Sequence, residues 1–193
     1  MYDGMPNALT VNGTAARFER AWTQVSPLVR ISTAAAVVLS AAVAATPFAS
    51  GVDGWWSLCG VVLALAAVID VHERRLPNGL LTVALLASLV PTCLRADDAM
   101  ALRAVCGGLL AGCLLMVART GHGVGMGDVK MAAVIGVSLG CFGMAAPLLA
   151  IAVAATVGAL YGFVRGRAQV AFGPALWFGW MSVLIGLSTG WWS

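Results

Sequence analysis

Charged side chains are scarce in this 193-residue sequence. They make up 10% of it, where a soluble domain has about 25%. Hydrophobic residues make up 61%, and the mean hydropathy is +0.94. The net charge is only +3 and the basic residues are scattered, so no nucleic-acid partner is expected. These shortages exclude a soluble domain and predict an all-α polytopic membrane protein, with the lipid bilayer as its surroundings.

Metal-binding motifs are also missing. None of the five cysteines is spaced as C-x-x-C, and all of them lie within or beside apolar runs. This excludes a zinc site and a disulfide framework, and free cysteine packs like a small hydrophobic residue. The two histidines, His72 and His122, match no metal motif. We therefore predict neither a metal nor another cofactor, with a site shared by histidines and aspartates as the alternative.

Long apolar runs are what the chain does contain. A spanning helix needs about 20 mostly apolar residues, and seven runs approach or exceed this length, so about seven transmembrane helices are predicted. An alternative for the first run is a signal peptide that ends in small residues. The predicted spans are about 30–49, 55–70, 78–94, 100–118, 128–144, 146–164 and 173–191.

The spans divide the chain into three parts. Residues 1–29 are predicted to form a cytoplasmic tail, 30–54 an additional N-terminal helix with its loop, and 55–193 a six-helix core. Lysine and arginine favour the cytoplasmic side of a membrane. A cytoplasmic N-terminus and an outer C-terminus place nine basic residues inside and two outside. The inner ones are Arg17, Arg20, Arg30, Arg74, Arg75, Arg119, Lys130, Arg165 and Arg167, and the outer ones are Arg95 and Arg103.

Two aspartates lie at the edges of apolar runs. Asp70 ends one run and Asp128 begins another, with two antiparallel spans between them. Ionisable groups at the edge of hydrocarbon are costly and usually functional. This topology places both carboxyls on the cytoplasmic side. Two close carboxyls share a proton, so one can activate water while the other polarises a peptide carbonyl, as in aspartic proteases.

Gly125 and Gly127 precede Asp128; both can take positive φ and leave no side chain in the way, so an extended substrate backbone could approach the acid. Each aspartate taken alone has a structural alternative. Asp70 can end its span paired with Arg74 or Arg75, and Asp128 can cap the following helix. The joint placement of the two aspartates favours a functional role.

Three motifs resemble those of the type IV prepilin peptidases, a family of membrane aspartic proteases. They occur in the family's order, with two spans between the first pair and two between the second. They are the first-aspartate motif at residues 70–78 (DVHERRLPN), the glycine-x-glycine-aspartate-x-lysine motif at 125–130 (GMGDVK), and the phenylalanine-glycine-proline motif at 170–176 (VAFGPAL).

The resemblance covers about residues 55–191. It implies an aspartic endopeptidase of the bacterial inner membrane that cuts the basic leader from prepilins or pseudopilins at the cytoplasmic face. These substrates are the partners it implies, and no oligomeric state is predicted. The catalytic residues would be Asp70 and Asp128. The supporting residues would be Arg75, Pro77, Asn78, Gly125, Gly127, Lys130, Phe172, Gly173 and Pro174.

The sequence departs from many members of that family in one respect. Those members carry a cytoplasmic domain with two C-x-x-C pairs and a second, N-methyltransferase activity, and this sequence has no C-x-x-C. We therefore expect a peptidase alone, most similar to the short members that serve Flp/Tad-type pili. The alternatives are a presenilin-like or signal-peptide-peptidase-like protease, an inactive membrane scaffold and a small transporter.

Overall fold

The computed structural model describes residues 53–95, 97–121, 124–166 and 171–189, which contain six α-helices and no strand. This confirms the all-helical fold class. The predicted tail 1–29 and the predicted helix 30–49 lie outside the described residues. The helices are α1 (Asp53–Glu73), α2 (Asn78–Arg95), α3 (Asp98–Arg119), α4 (Met126–Gly140), α5 (Ala145–Arg165) and α6 (Gly173–Ser188).

Four of these helices, α1, α2, α3 and α5, are long and apolar enough to cross a membrane. The count of seven spans is therefore confirmed only in part. Helix α6 is a shorter apolar helix. Helix α4 has 15 residues and is about 22 Å long, less than the hydrocarbon core of about 30 Å. The predicted run 128–144 is interrupted because the chain turns after Gly140, with Gly143 at φ +143°.

The helix ends follow local sequence rules. Asp97 caps α3, because its side chain accepts hydrogen bonds from the amides of Ala99 and Met100 at 2.9 and 3.2 Å. Helix α5 ends at Arg165 and is capped by Gly166, whose φ of +58° suits glycine. Short connections make consecutive helices antiparallel. The C-termini of α1, α3 and α5 therefore lie at the same end of the bundle as the N-termini of α2, α4 and α6.

Helix α4 lies at the centre of the bundle, in contact with α2, α3, α5 and α6. Ten of its 15 residues are buried. Glycines let α3 and α4 approach closely: a methyl group added at Gly107 would lie 2.5 Å from the carbonyl oxygen of Gly136 and 2.9 Å from the Cα of Gly140. Small residues serve this purpose in membrane helix pairs. The C-terminal half of α4 is thus packed closely against α3.

Two tryptophans attach α6 to its neighbours. Trp180 Nε1 donates a hydrogen bond to Ser138 Oγ of α4 at 2.8 Å, and Trp177 Nε1 donates to the carbonyl of Gly60 in α1 at 3.3 Å. Gly179 packs directly against α5 at Ala150. These contacts fix α6 relative to the two helices that carry Asp70 and Asp128.

Candidate active site

A cavity of about 290 Å³ lies where α1 ends and where α2 and α4 begin. Both aspartates singled out in the sequence line this cavity, together with five of the nine predicted supporting residues. Three further residues in the lining were not predicted. The complete lining is Asp70, Arg74, Arg75, Leu76, Asn78, Gly125, Met126, Gly127, Asp128 and Lys130.

Asp70 lies in the last turn of α1 and is 7% exposed. Its Oδ2 atom accepts a hydrogen bond of 3.0 Å from the backbone amide of Gly173. The first amides of a helix lack partners within the helix, and the helix dipole favours an anion there. The start of α6 therefore compensates a carboxylate that sits at the unfavourable C-terminal end of α1. The hydrogen bond to Asp70 thus comes from a backbone amide. The structural alternative from the sequence had instead paired Asp70 with Arg74 or Arg75.

Asp128 is the third residue of α4 and is 8% exposed. Its Oδ2 atom accepts a hydrogen bond of 3.0 Å from the amide of Gly125, which is a capping interaction. Its Oδ1 atom is also buried but has no hydrogen-bond partner among the residues that the structure describes. An unsatisfied buried acceptor costs about 1–3 kcal/mol, and such atoms often mark catalytic sites. One oxygen of Asp128 thus stabilises the fold, and the other is available for chemistry.

The surroundings of Asp128 change its acidity. Asp128 lies outside the four helices that qualify as spans. Burial, the largest cause, raises the pKa of its carboxyl to about 6, while the amide of Gly125 lowers this pKa and the charge on Asp70 raises it. The two carboxyls are therefore close enough to interact electrostatically. Near neutral pH, Asp128 can exist in both the protonated and the ionised form.

The two glycines before Asp128 do not use the positive φ that is open to glycine. Gly125 is extended, with φ −77° and ψ 158°, and Gly127 is helical. Their small size is what the site uses. A methyl group at Gly127 would lie 2.9 Å from Leu76 Cβ, and one at Gly125 would lie 3.2 Å from Asp128 Oδ2. Glycine therefore allows the α1–α2 connection to pack against α4.

Lys130 and Asn78 are joined directly. Lys130 Nζ donates a hydrogen bond to Asn78 Oδ1 at 2.9 Å, which links the first turn of α2 to α4 across the cavity. Pro77 immediately precedes α2 and lies outside the cavity lining. The exposed Arg75 lines the cavity.

The phenylalanine-glycine-proline motif forms the start of α6. Pro174 lies in the first turn, where proline is favoured. Gly173 contacts Asp70 so closely that an added methyl group would lie 2.8 Å from Asp70 Oδ2. The ring of Phe172 packs against Gly158 of α5. None of Phe172, Gly173 and Pro174 lines the cavity. Gly173 is linked to the cavity by its hydrogen bond to Asp70.

Sequence reasoning did not select Arg74, Leu76 or Met126 as site residues. Leu76 is an apolar residue beside two arginines and before a proline, and this pattern signals a side chain that packs inward. Arg74 has a φ of +50°, and nothing in the sequence indicated this. His72 is exposed on α1, and His122 lies outside the described residues. Within the described ranges there is no group of three side chains able to hold a metal ion.

Comparison with known proteins bears on this arrangement. The type IV leader peptidase family matches residues 57–163, a little over half of the 193-residue chain. The match contains Asp70 and Asp128 and ends before Phe172. No curated protein and no solved structure matches the chain. From the extent of the family match, together with the membrane-type helices around the cavity, we conclude that the chain belongs to the type IV leader peptidase family.

Proposed function

We propose that this protein is a membrane aspartic endopeptidase that removes the basic leader peptide from prepilins or pseudopilins. The observation that carries the proposal is the meeting of two buried carboxyls, Asp70 and Asp128, in one cavity at the end of an apolar helix bundle. Family membership supports leader peptidase chemistry. The geometry supports the aspartic type, because each carboxyl is oriented by one backbone amide.

The proposed roles of the two aspartates differ. The Gly173 amide stabilises the anionic form of Asp70, so Asp70 takes a proton from water while the water oxygen attacks the scissile carbonyl carbon. Asp128, whose pKa is raised to about 6, acts in its protonated form and donates a hydrogen bond to the carbonyl oxygen. The C–N bond then breaks as Asp70 passes the proton that it took from water to the leaving amine, as general acid–base catalysis requires.

The position of the cavity suits a substrate with an apolar helix. Its lining combines the two aspartates with Arg74, Arg75 and Lys130, at the end of the bundle that the basic residues assign to the cytoplasm. A substrate helix can lie in the bilayer while its leader crosses the cavity as an extended chain. We therefore propose that cleavage takes place at the cytoplasmic face of the inner membrane.

We further propose that cleavage is not followed by methyl transfer. The sequence has no C-x-x-C pair, and the connection between α1 and α2 is only residues 74–77. Purified protein incubated with a prepilin and radiolabelled S-adenosylmethionine should leave the new amino terminus unmethylated. A labelled mature pilin would contradict this part of the proposal.

The proposal is tested by removing each titratable proton without changing side-chain shape. Asp70→Asn and Asp128→Asn should each abolish processing of a co-expressed prepilin, as measured by the mass of the substrate. Asp98→Asn is the matched control, because Asp98 is exposed at the opposite end of the bundle, and it should process normally. Normal processing by either site variant would contradict the two-aspartate mechanism, and a wild type that leaves the prepilin uncut would favour a scaffold or transporter role.

A further inference from the structure

We propose that Gly158 of α5 is a positioning residue of this active site, acting through Phe172 and Gly173 on Asp70. The inference rests on the proposed function for its kinetic consequence. Its structural part, the coupling of α5 to the Asp70 hydrogen bond, is independent of that function. Gly158 lies outside the cavity lining and outside the three motifs.

Helix α5 contacts the start of α6 at Gly158, which faces the ring of Phe172. A methyl group added at Gly158 would lie 2.8 Å from Cε2 and 3.0 Å from Cδ2 of the Phe172 ring. Carbon atoms in contact are normally about 3.5–4.0 Å apart. The ring of Phe172 therefore occupies the space that a larger residue at 158 would need, and any such residue must move the ring.

The backbone at the start of α6 connects Phe172 to Asp70 through hydrogen bonds. The carbonyl of Phe172 accepts the hydrogen bond from the Leu176 amide at 3.0 Å and so begins α6. The next amide, that of Gly173, donates to Asp70 Oδ2 at 3.0 Å. A methyl group on Gly173 would lie 2.8 Å from that same oxygen, so the backbone is already as close to the carboxyl as glycine allows.

Helix α6 cannot move away as a whole. Gly179 packs on Ala150 of α5 without room for a methyl group, and Trp180 is hydrogen-bonded to Ser138 of α4. Both contacts lie one to two turns beyond the start of α6. With the rest of α6 held in place, the shift that a bulkier residue at 158 imposes falls on the Phe172 ring and on the first turn of α6, which carries the amide that orients Asp70.

A kinetic experiment tests the consequence for catalysis. Gly158→Ala should lower kcat about tenfold or more, because small misplacements of catalytic groups are costly, while KM stays unchanged. Gly79→Ala is the matched control, since a methyl group there meets nothing within 4 Å. Adding Phe172→Leu to Gly158→Ala should restore much of kcat, because the ring is gone. Equal rates for Gly158→Ala and Gly79→Ala, or a double variant no faster than Gly158→Ala, would overturn the proposal.

A spectroscopic experiment tests the coupling without any assay of activity. Labelling phenylalanine carbonyls with ¹³C and glycine amides with ¹⁵N selects the three Phe–Gly peptide bonds, 142–143, 172–173 and 178–179. The signal that moves in Asp70→Asn belongs to Gly173. Gly158→Ala should move the same signal, and Gly79→Ala should leave it in place. If the wild type does not cleave a prepilin but this signal moves in Gly158→Ala, the proposed function is wrong and the coupling stands. An unmoved signal in Gly158→Ala overturns the coupling.

Discussion

The two oxygens of the Asp128 carboxyl have different surroundings, and this difference explains how one aspartate serves both the fold and the chemistry. Oδ2 caps α4 through the Gly125 amide, whereas Oδ1 is buried without a hydrogen-bond partner among the described residues. The helix cap, which the sequence offered as a structural alternative for Asp128, is thus formed by one of its two carboxyl oxygens. Capping fixes the carboxyl, and the remaining oxygen can bind water or substrate.

The raised pKa of Asp128 gives a pH dependence that is directly measurable. Because burial raises this pKa to about 6, Asp128 should be protonated at pH 5 and ionised at pH 8. Infrared difference spectra between these pH values should show the loss of a protonated carboxyl band, and Asp128→Asn should lack that band. If the wild-type band is already absent at pH 5, Asp128 titrates near its ordinary value and the assigned proton-donor role fails.

Gly127 should tolerate no side chain while Leu76 is present. A methyl group at 127 would lie 2.9 Å from Leu76 Cβ and 3.0 Å from Leu76 Cδ1, so Gly127→Ala should push the α1–α2 connection away from Asp128. We expect cleavage to slow by about tenfold or more and to recover partly in the double variant Gly127→Ala/Leu76→Ala. No recovery would indicate that Gly127 acts through another contact.

Helix α4 shows why hydropathy alone misjudges part of this fold. An apolar run predicts equally well a helix exposed to lipid and one surrounded by other helices, and α4 is of the second kind. A helix surrounded by protein need not cross the whole bilayer, so it can end at Gly140, before the turn at Gly143. The other five described helices begin and end within about three residues of the predicted runs, and four of them are long enough to cross a membrane.

The close contact of α3 with α4 should be sensitive to a single methyl group. Alanine at Gly136 would place its Cβ 2.7 Å from Ala111 Cβ and also against the backbone of Gly107. Overpacking of this kind costs about 1–3 kcal/mol, so Gly136→Ala should lower the unfolding temperature in detergent. Gly112→Ala is the comparison, because its nearest contact would be Ala133 Cβ at 3.3 Å. Equal unfolding temperatures for the two variants would show that α3 and α4 can separate freely.

The candidate site could be predicted from the sequence only where its residues lie in local motifs. Asp70, Asp128 and Lys130 stand out because charge is rare beside apolar runs. The hydrogen bond from Gly173 to Asp70 joins residues 103 positions apart, and no local pattern reports such a contact. For a related reason the sequence does not show why glycine stands at position 125: the need for it comes from neighbouring atoms and not from the backbone conformation.

The arrangement of the whole chain across the membrane gives a further prediction. The distribution of basic residues predicts that the cavity end lies inside the cell and the start of α3 outside. Glu73 and Asp98 are exposed at these two ends. In a cysteine-free background, a membrane-impermeant thiol reagent added to spheroplasts should label Asp98→Cys, and it should label Glu73→Cys only after the cells are broken. The reverse pattern would place the cavity on the outer side.

Proteolysis by the purified protein bears most directly on the aspartic mechanism. The wild-type chain, reconstituted in vesicles with a prepilin that carries a basic leader, should release that leader in a single cut before the apolar helix, as read by mass spectrometry. Asp70→Asn and Asp128→Asn should each slow this release by about 10³-fold or more, while Asp98→Asn should match the wild type. Release of the leader at the wild-type rate by either Asp70→Asn or Asp128→Asn would contradict the two-aspartate mechanism.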